Sequence, residues 1–187
     1  MSMNGQEWSD GKYKKSVSFF VFNEHIATPF SEPSDSPTHL GFAGSLELSK
    51  PRTGAYQFAH IFQGGYYYHK DFNQVVFFTW KPKFELQFAR IFNVHGLLGV
   101  GYAHSFPVRT TYELDDGSYV KKTNWGRPHF MPSLGSGACV DLQKWFDMPI
   151  ELFVRFEAFG LGPYALKGRV PVTLNTMTGI GVKYSLK

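Results

Sequence analysis

The chain has no run of eighteen apolar residues, which excludes a transmembrane helix. Cysteine is almost absent: Cys139 stands alone, so no intramolecular disulfide forms, and an oxidising compartment is tolerated because no pairing is demanded. The first residues, Met1-Ser-Met-Asn-Gly-Gln-Glu-Trp8, have neither the basic start nor the apolar core of a secretory signal, and an exported protein is expected to have lost that signal. Catalytic and phosphate-binding signatures are missing too. Gly99-x-Gly101, Gly135-x-Gly137 and Gly179-x-Gly181 lie inside alternating segments with no helix after them, so they are not phosphate loops. The net charge of +4 in 187 residues comes without a nucleic-acid recognition module, and the lysines and arginines gather in tails and loops, so nucleic acid is not an expected partner.

What the chain does have is alternation. From Val172 to Leu186 a period of two holds for fifteen residues, with Val172, Leu174, Ile180, Val182, Tyr184 and Leu186 on one side and Thr173, Asn175, Gly179, Gly181 and Lys183 on the other. Soluble strands usually run about five or six residues, whereas a tilted membrane-crossing strand needs about nine to eleven. Similar patterns predict strands over 16–27, 38–50, 55–67, 74–89, 92–106, 129–142 and 150–161, making eight. The connections after the first, third, fifth and seventh are longer and polar, and the others are short. Within the longest, 107–128, residues 110–123 are expected to form a hairpin around Asp115-Asp116-Gly117. Pro82, inside Trp80-Lys-Pro-Lys83, predicts either a bulge or a break between two strands, since proline cannot donate to a central ladder. A mean hydropathy of −0.23 fits this layout, because alternation dilutes the apolar signal.

The two faces differ in charge and in size. From the second strand onward the even-numbered face carries Leu46, Phe58, Phe62, Phe78, Trp80, Phe84, Leu98, Val154, Phe156 and Ile180, with no Asp, Glu, Lys or Arg among its members. The odd-numbered face carries Glu47, Lys83, Glu85, His95, Asp141, Glu151, Arg155, Glu157 and Lys183, interleaved with glycines. An eight-stranded barrel has an interior just wide enough for side chains to fill, so the small residues mark the inside and the bulky apolar ones face lipid. A soluble lipocalin-like ligand-binding barrel, with the apolar set inside, is the alternative. Tyr56 and Tyr66, ten residues apart, are placed to mark the two edges of an apolar band of roughly 25 Å.

The terminal pattern Gly181-Val-Lys-Tyr184-Ser-Leu186 resembles the closing strand by which outer-membrane β-barrels are recognised for insertion, making Gly181, Tyr184 and Leu186 the expected insertion signal. Residues 16–186 as a whole resemble the small eight-stranded barrels typified by the OmpA transmembrane domain, although the chain ends in Lys187 rather than an aromatic. The resemblance implies an all-β, antiparallel up-and-down transmembrane barrel over 16–187, with 1–15 as a periplasmic tail, in the bacterial outer membrane. Implied partners are outer-membrane lipid and lipopolysaccharide, with other outer-membrane or periplasmic proteins as candidates.

The inward charges are expected to pair as a salt-bridge plug rather than to form an ion path. His60, between Phe58 and Phe62 on the lipid face, is a candidate contact for another protein. His25, His39, His69, His104 and His129 fall at the outer end, but their spacing follows no ligand motif, so no metal or other cofactor is expected. The alternative to a non-catalytic barrel is a lipid A-modifying enzyme. Lipid A deacylases carry a His-x-Ser pair on the seventh strand, where this chain has Glu157-Ala-Phe159; no catalytic residue is expected. The expected role is that of a structural or accessory subunit of an outer-membrane assembly, or one exercised through the outer loops.

Overall fold

In a computed structural model, the residues described are 13–26, 39–70, 73–88, 91–108, 111–115, 118–122, 125–142, 148–163 and 172–186. The alternating segments form β1 (Lys14–Ile26), β2 (His39–Ser49), β3 (Tyr56–Tyr68), β4 (Asn73–Gln87) and β5 (Phe92–Pro107). The hairpin β6 (Thr111–Asp115) and β7 (Ser118–Lys122) follows, then β8 (Arg127–Phe130), β9 (Ser133–Asp141), β10 (Ile150–Leu161) and β11 (Thr173–Ser185). Each barrel strand pairs antiparallel with the next, and β11 returns to β1 from Ser16↔Ser185 to Ile26↔Asn175, so the sheet closes.

Strands β8 and β9 are one barrel strand in two pieces. Tyr102↔Phe130 and Gly99↔Ser133 keep a single register against β5, and the Met131 amide still donates to the Gly101 carbonyl at 2.8 Å. Pro132 has no amide hydrogen, so the ladder skips it. Eight strands therefore make the wall, as the alternation predicts, and the hairpin between β5 and β8 is a separate two-stranded sheet. Pro82 acts in the same way. Trp80↔Val100 and Lys83↔Leu97 share one register, with the ladder to β5 missing at Lys81 and Pro82, while Pro82 keeps its place opposite His60 on β3. The strand neither bulges nor breaks there: proline costs one donor, and the ladder to β3 carries the chain past it.

The register fixes the shape of the barrel. The paired positions Lys14, Ser49, Ala59, Lys83, Leu97, Gly135, Glu157, Met177 and Glu24 lead once round the wall and return to β1 ten residues further along. With strands about 4.8 Å apart and a rise of about 3.3 Å per residue, that shear sets a tilt of roughly 40° and a backbone radius of roughly 8 Å. The lumen of such a barrel is filled by side chains.

The start of β1 and the end of β11 lie at one end of the barrel, the terminal end, where Leu186 N–H donates to the Lys15 carbonyl at 2.9 Å. That end also holds the connections after β2, β4 and β9. The first of them turns tightly, with Thr53 and Tyr56 bonded back to back and Gly54 at φ 61°, a left-handed conformation that glycine adopts without strain. The connections after β1, β3, β5 and β10 are at the far end; the one after β3, 69–72, is no longer than 88–91 and shorter than 142–149 at the terminal end, so the expected contrast in length fails at that connection.

The alternation sorts the wall as the sequence predicts. Phe78 and Leu98 are 57% and 54% exposed on the outside, in company with Phe19, Phe42, Phe84, Leu134, Val154 and Ile180. This apolar surface runs round the barrel and far exceeds the few hundred Å² that a soluble monomer exposes in one patch. Tyr56, Phe88 and Tyr184 are exposed toward the terminal end, and Tyr102 and Phe130 toward the far end.

Candidate functional site

The lumen is built in layers from the terminal end upward. The first is ionic. Lys83 on β4 donates to Glu47 of β2 at 2.7 Å and to Glu85 at 2.9 Å, and Ser49 donates to the same Glu47 oxygen at 2.8 Å. Lys183 lies directly opposite Glu151 in the β10–β11 register, 2.8 Å away, and 3.6 Å from Glu47. Arg52 folds inward from the turn before β3 and donates to Glu85 at 2.6 Å, with Gln57, Gln87 and Asn93 as further acceptors. Three cations thus face three carboxylates. Buried ions remain tolerable only with partners and hydrogen bonds of this kind. Asp141 is half-buried beside this layer, and His95 is buried behind it with no protein hydrogen bond to either ring nitrogen.

One level higher, Lys81 and Glu157 meet across the lumen at 2.5 and 2.8 Å, both completely buried. Arg155 makes no ion pair among the described residues. Its guanidinium donates to Gln63 at 2.9 Å and lies over the rings of Phe20 and Phe153, at 5.3 and 4.9 Å. Planar, weakly hydrated guanidinium suits that setting better than ammonium would.

The third level is apolar. Phe20, Phe22, Tyr67, Phe77, Phe153 and Phe159 are buried with ring centroids 5.3 to 6.5 Å apart, and Met131, Leu161 and Met177 complete the layer. The glycines make room for it. A Cβ at Gly65 would strike the Phe77 ring, one at Gly41 the Phe22 ring, and one at Gly181 the Phe153 ring. At the far mouth, Glu24, His39 and His69 gather on one side, with the two imidazoles stacked 3.5 Å apart. Ser105 and His129 share a 2.7 Å hydrogen bond on the other, and His129 Nδ1 donates to the Pro163 carbonyl at 3.1 Å.

The structure therefore brings together Glu47, Lys83, Glu85, Glu151 and Lys183 from the predicted set. It moves Glu157 one level up, to Lys81, and leaves Arg155 among rings. Sequence reasoning passed over Lys81, Arg52, Gln63 and Glu24. Lys81 was within reach, since it shares the odd-numbered face of β4 with Lys83 and Glu85; Arg52 was not, because it comes from a turn. The aromatic layer was missed as well: five phenylalanines point inward, where the expected lining was charged residues interleaved with small ones. Outside, His60 is half-buried against its own wall, edge-on to Phe58 at 4.8 Å and stacked on Trp80 at 5.8 Å. His104 is also outward, its ring between Tyr102 and the Trp125 carbonyl. Gly181 faces the lumen, whereas Tyr184 and Leu186 are exposed.

A closed antiparallel barrel of eight strands, apolar outside and charged within, is the architecture of the small outer-membrane β-barrels. No family model and no curated protein matches the chain. Solved structures do. Ail, the attachment invasion locus protein of Yersinia pestis, is similar with a TM-score of 0.53 and 11% identity, over 94% of this chain and 99% of that one. Neisserial surface protein A gives 0.51 and 8% over 93% and 97%, and the outer membrane enzyme PagL gives 0.51 and 14% over 91% and 99%. At these identities the likeness is one of fold.

Proposed function

We propose that the protein resides in the bacterial outer membrane as a non-catalytic barrel with a closed lumen, and that it serves as a structural or accessory subunit of an envelope assembly or through its outer loops. The observation that supports this reading is the packing of the lumen: two levels of buried ion pairs lie under a layer of six aromatic rings. The continuous apolar wall favours lipid and lipopolysaccharide as the immediate surroundings. In this reading the residues before β1, which starts at Lys14 rather than at 16 and so shortens the expected tail of 1–15, form a periplasmic tail, of which 1–12 lie outside the described residues; Gly181, Tyr184 and Leu186 act as the insertion signal, and His60 marks a place where another membrane protein meets the wall.

The fold alone does not choose a role, since one similar protein is named for attachment and invasion and another is an enzyme. Ser105 and His129 are the observation that favours the enzymatic reading, being a hydroxyl and a base in direct contact. Against it, both are buried in the lumen mouth, and His129 Nδ1 donates to the Pro163 main-chain carbonyl. Glu157 and Phe159 are likewise occupied by Lys81 and the aromatic layer. Planar-bilayer recordings test the closed lumen: wild type and Arg155→Ala are both expected to show no unitary conductance, and a regular open state in the wild type overturns the reading. Mass spectrometry of lipid A from cells with and without the protein is expected to show no difference.

A further inference from the structure

The geometry points to a binding site for one divalent transition-metal cation at the far mouth of the lumen, formed by Glu24, His39 and His69. The three residues come from β1, from the start of β2 and from the residue after β3, and one donor atom of each lies within 4.8 Å of the other two. Two imidazoles and a carboxylate suit zinc and its first-row neighbours rather than calcium or magnesium, which prefer oxygen alone. A tetrahedral zinc with ligands at about 2.0–2.2 Å holds its donors roughly 3.3–3.5 Å apart, so binding draws the three side chains together from separations of up to 4.8 Å.

Two further observations separate this cluster from ordinary rim histidines. The first is an unbalanced carboxylate. Glu24 is 1% exposed, its Oε2 has no hydrogen-bond partner, and the nearest nitrogen in any ion pair is His39 Nδ1 at 3.7 Å. No lysine or arginine among the described residues pairs with it, whereas Glu47, Glu85, Glu151 and Glu157 all have a lysine or arginine within 2.8 Å. A cation is what that carboxylate lacks. The second is the orientation of His39. Its Nδ1–H donates to the Glu24 main-chain carbonyl at 3.2 Å, which fixes the tautomer and leaves a lone pair on Nε2, an atom with no protein partner. Metal-binding histidines are typically held in this way. A cavity of about 10 Å³, room for a single water as fourth ligand, adjoins Glu24 and His69 and is also lined by Asn175. Bound there, the ion ties together the roots of the first two far-end connections, since Glu24 and His39 flank 27–38 and His69 opens the turn into β4.

The test uses the full chain in detergent micelles, stripped with a chelator and dialysed against zinc. One zinc per chain is expected. His39→Ala and His69→Ala should each weaken binding at least tenfold, the lower end of what even a supporting residue costs. His104→Ala, on the outer wall, should change nothing. Cobalt in place of zinc should give the intense visible absorption of four-coordinate geometry, lost in Glu24→Gln. Wild-type protein that takes up no stoichiometric zinc overturns the proposal whether or not the variants fold, as does uptake that survives both histidine substitutions in folded protein.

Discussion

Lys81 and Glu157 are where the layered lumen makes its sharpest energetic prediction. Both side chains are 0% exposed, they share two hydrogen bonds, and they join opposite walls of the barrel. Removing one partner strands the other charge, at a cost of about 3–5 kcal/mol, which is roughly 10² to 10⁴ in the folding equilibrium. The two halves are not equivalent. Arg155 is close enough to Lys81 to repel it, so Glu157→Gln leaves two cations facing each other, whereas Lys81→Met leaves a carboxylate that Arg155 can approach. Glu157→Gln should therefore be the worse of the two. The double variant Lys81→Met with Glu157→Leu replaces the pair by apolar side chains of similar length, and should lie within about 1 kcal/mol of wild type. Equilibrium unfolding by urea in lipid vesicles, read by tryptophan fluorescence and gel mobility, measures all four proteins. Single variants as stable as wild type would refute the reasoning, and so would a double variant as unstable as the sum of the singles.

Position on the wall makes two further predictions. Leu98→Arg, in the middle of the apolar band, should cost about 2–4 kcal/mol, and Phe88→Arg, exposed at the terminal rim, about 0–1 kcal/mol, by the same unfolding assay. Gly65→Leu drives a side chain into the Phe77 ring and Ala43 and should cost about 1–3 kcal/mol, whereas Gly44→Ala, whose Cβ would meet nothing nearer than the Ser18 carbonyl oxygen at 3.9 Å, should leave the urea midpoint nearly unchanged.

Strand number, alternation and the sorting of faces were legible in the sequence because each is a local property of period two. Val172 to Leu186 shows the alternation and the sorting of faces without any knowledge of its neighbours, and counting such segments gives the strand number. Who meets whom was not legible. The shear of ten decides that Lys81 reaches Glu157 across seventy-six residues, and that Glu24 finds His39 and His69; no spacing rule along one strand contains that information. The spacing of the five outer histidines along the chain follows no ligand motif, and closure of the barrel sets His39 and His69 beside Glu24 without any such spacing. The inward phenylalanines were obscured for a different reason. Phe77 and Phe78 are neighbours of the same type on opposite faces, and residue type says nothing about which of two adjacent rings looks inward; only the glycines opposite, Gly65 and Gly41, carry the hint.

That same pair offers the most direct test of the claim that apolar residues face lipid while ions and glycines line the inside. With the native tryptophans replaced by phenylalanine, a single tryptophan is placed at 19, 20, 77 or 78 in turn, and its fluorescence is measured in vesicles containing lipids brominated on their acyl chains. Positions 19 and 78 should be strongly quenched and positions 20 and 77 protected. Quenching at 20 and 77 with protection at 19 and 78 would turn the barrel inside out and contradict the account.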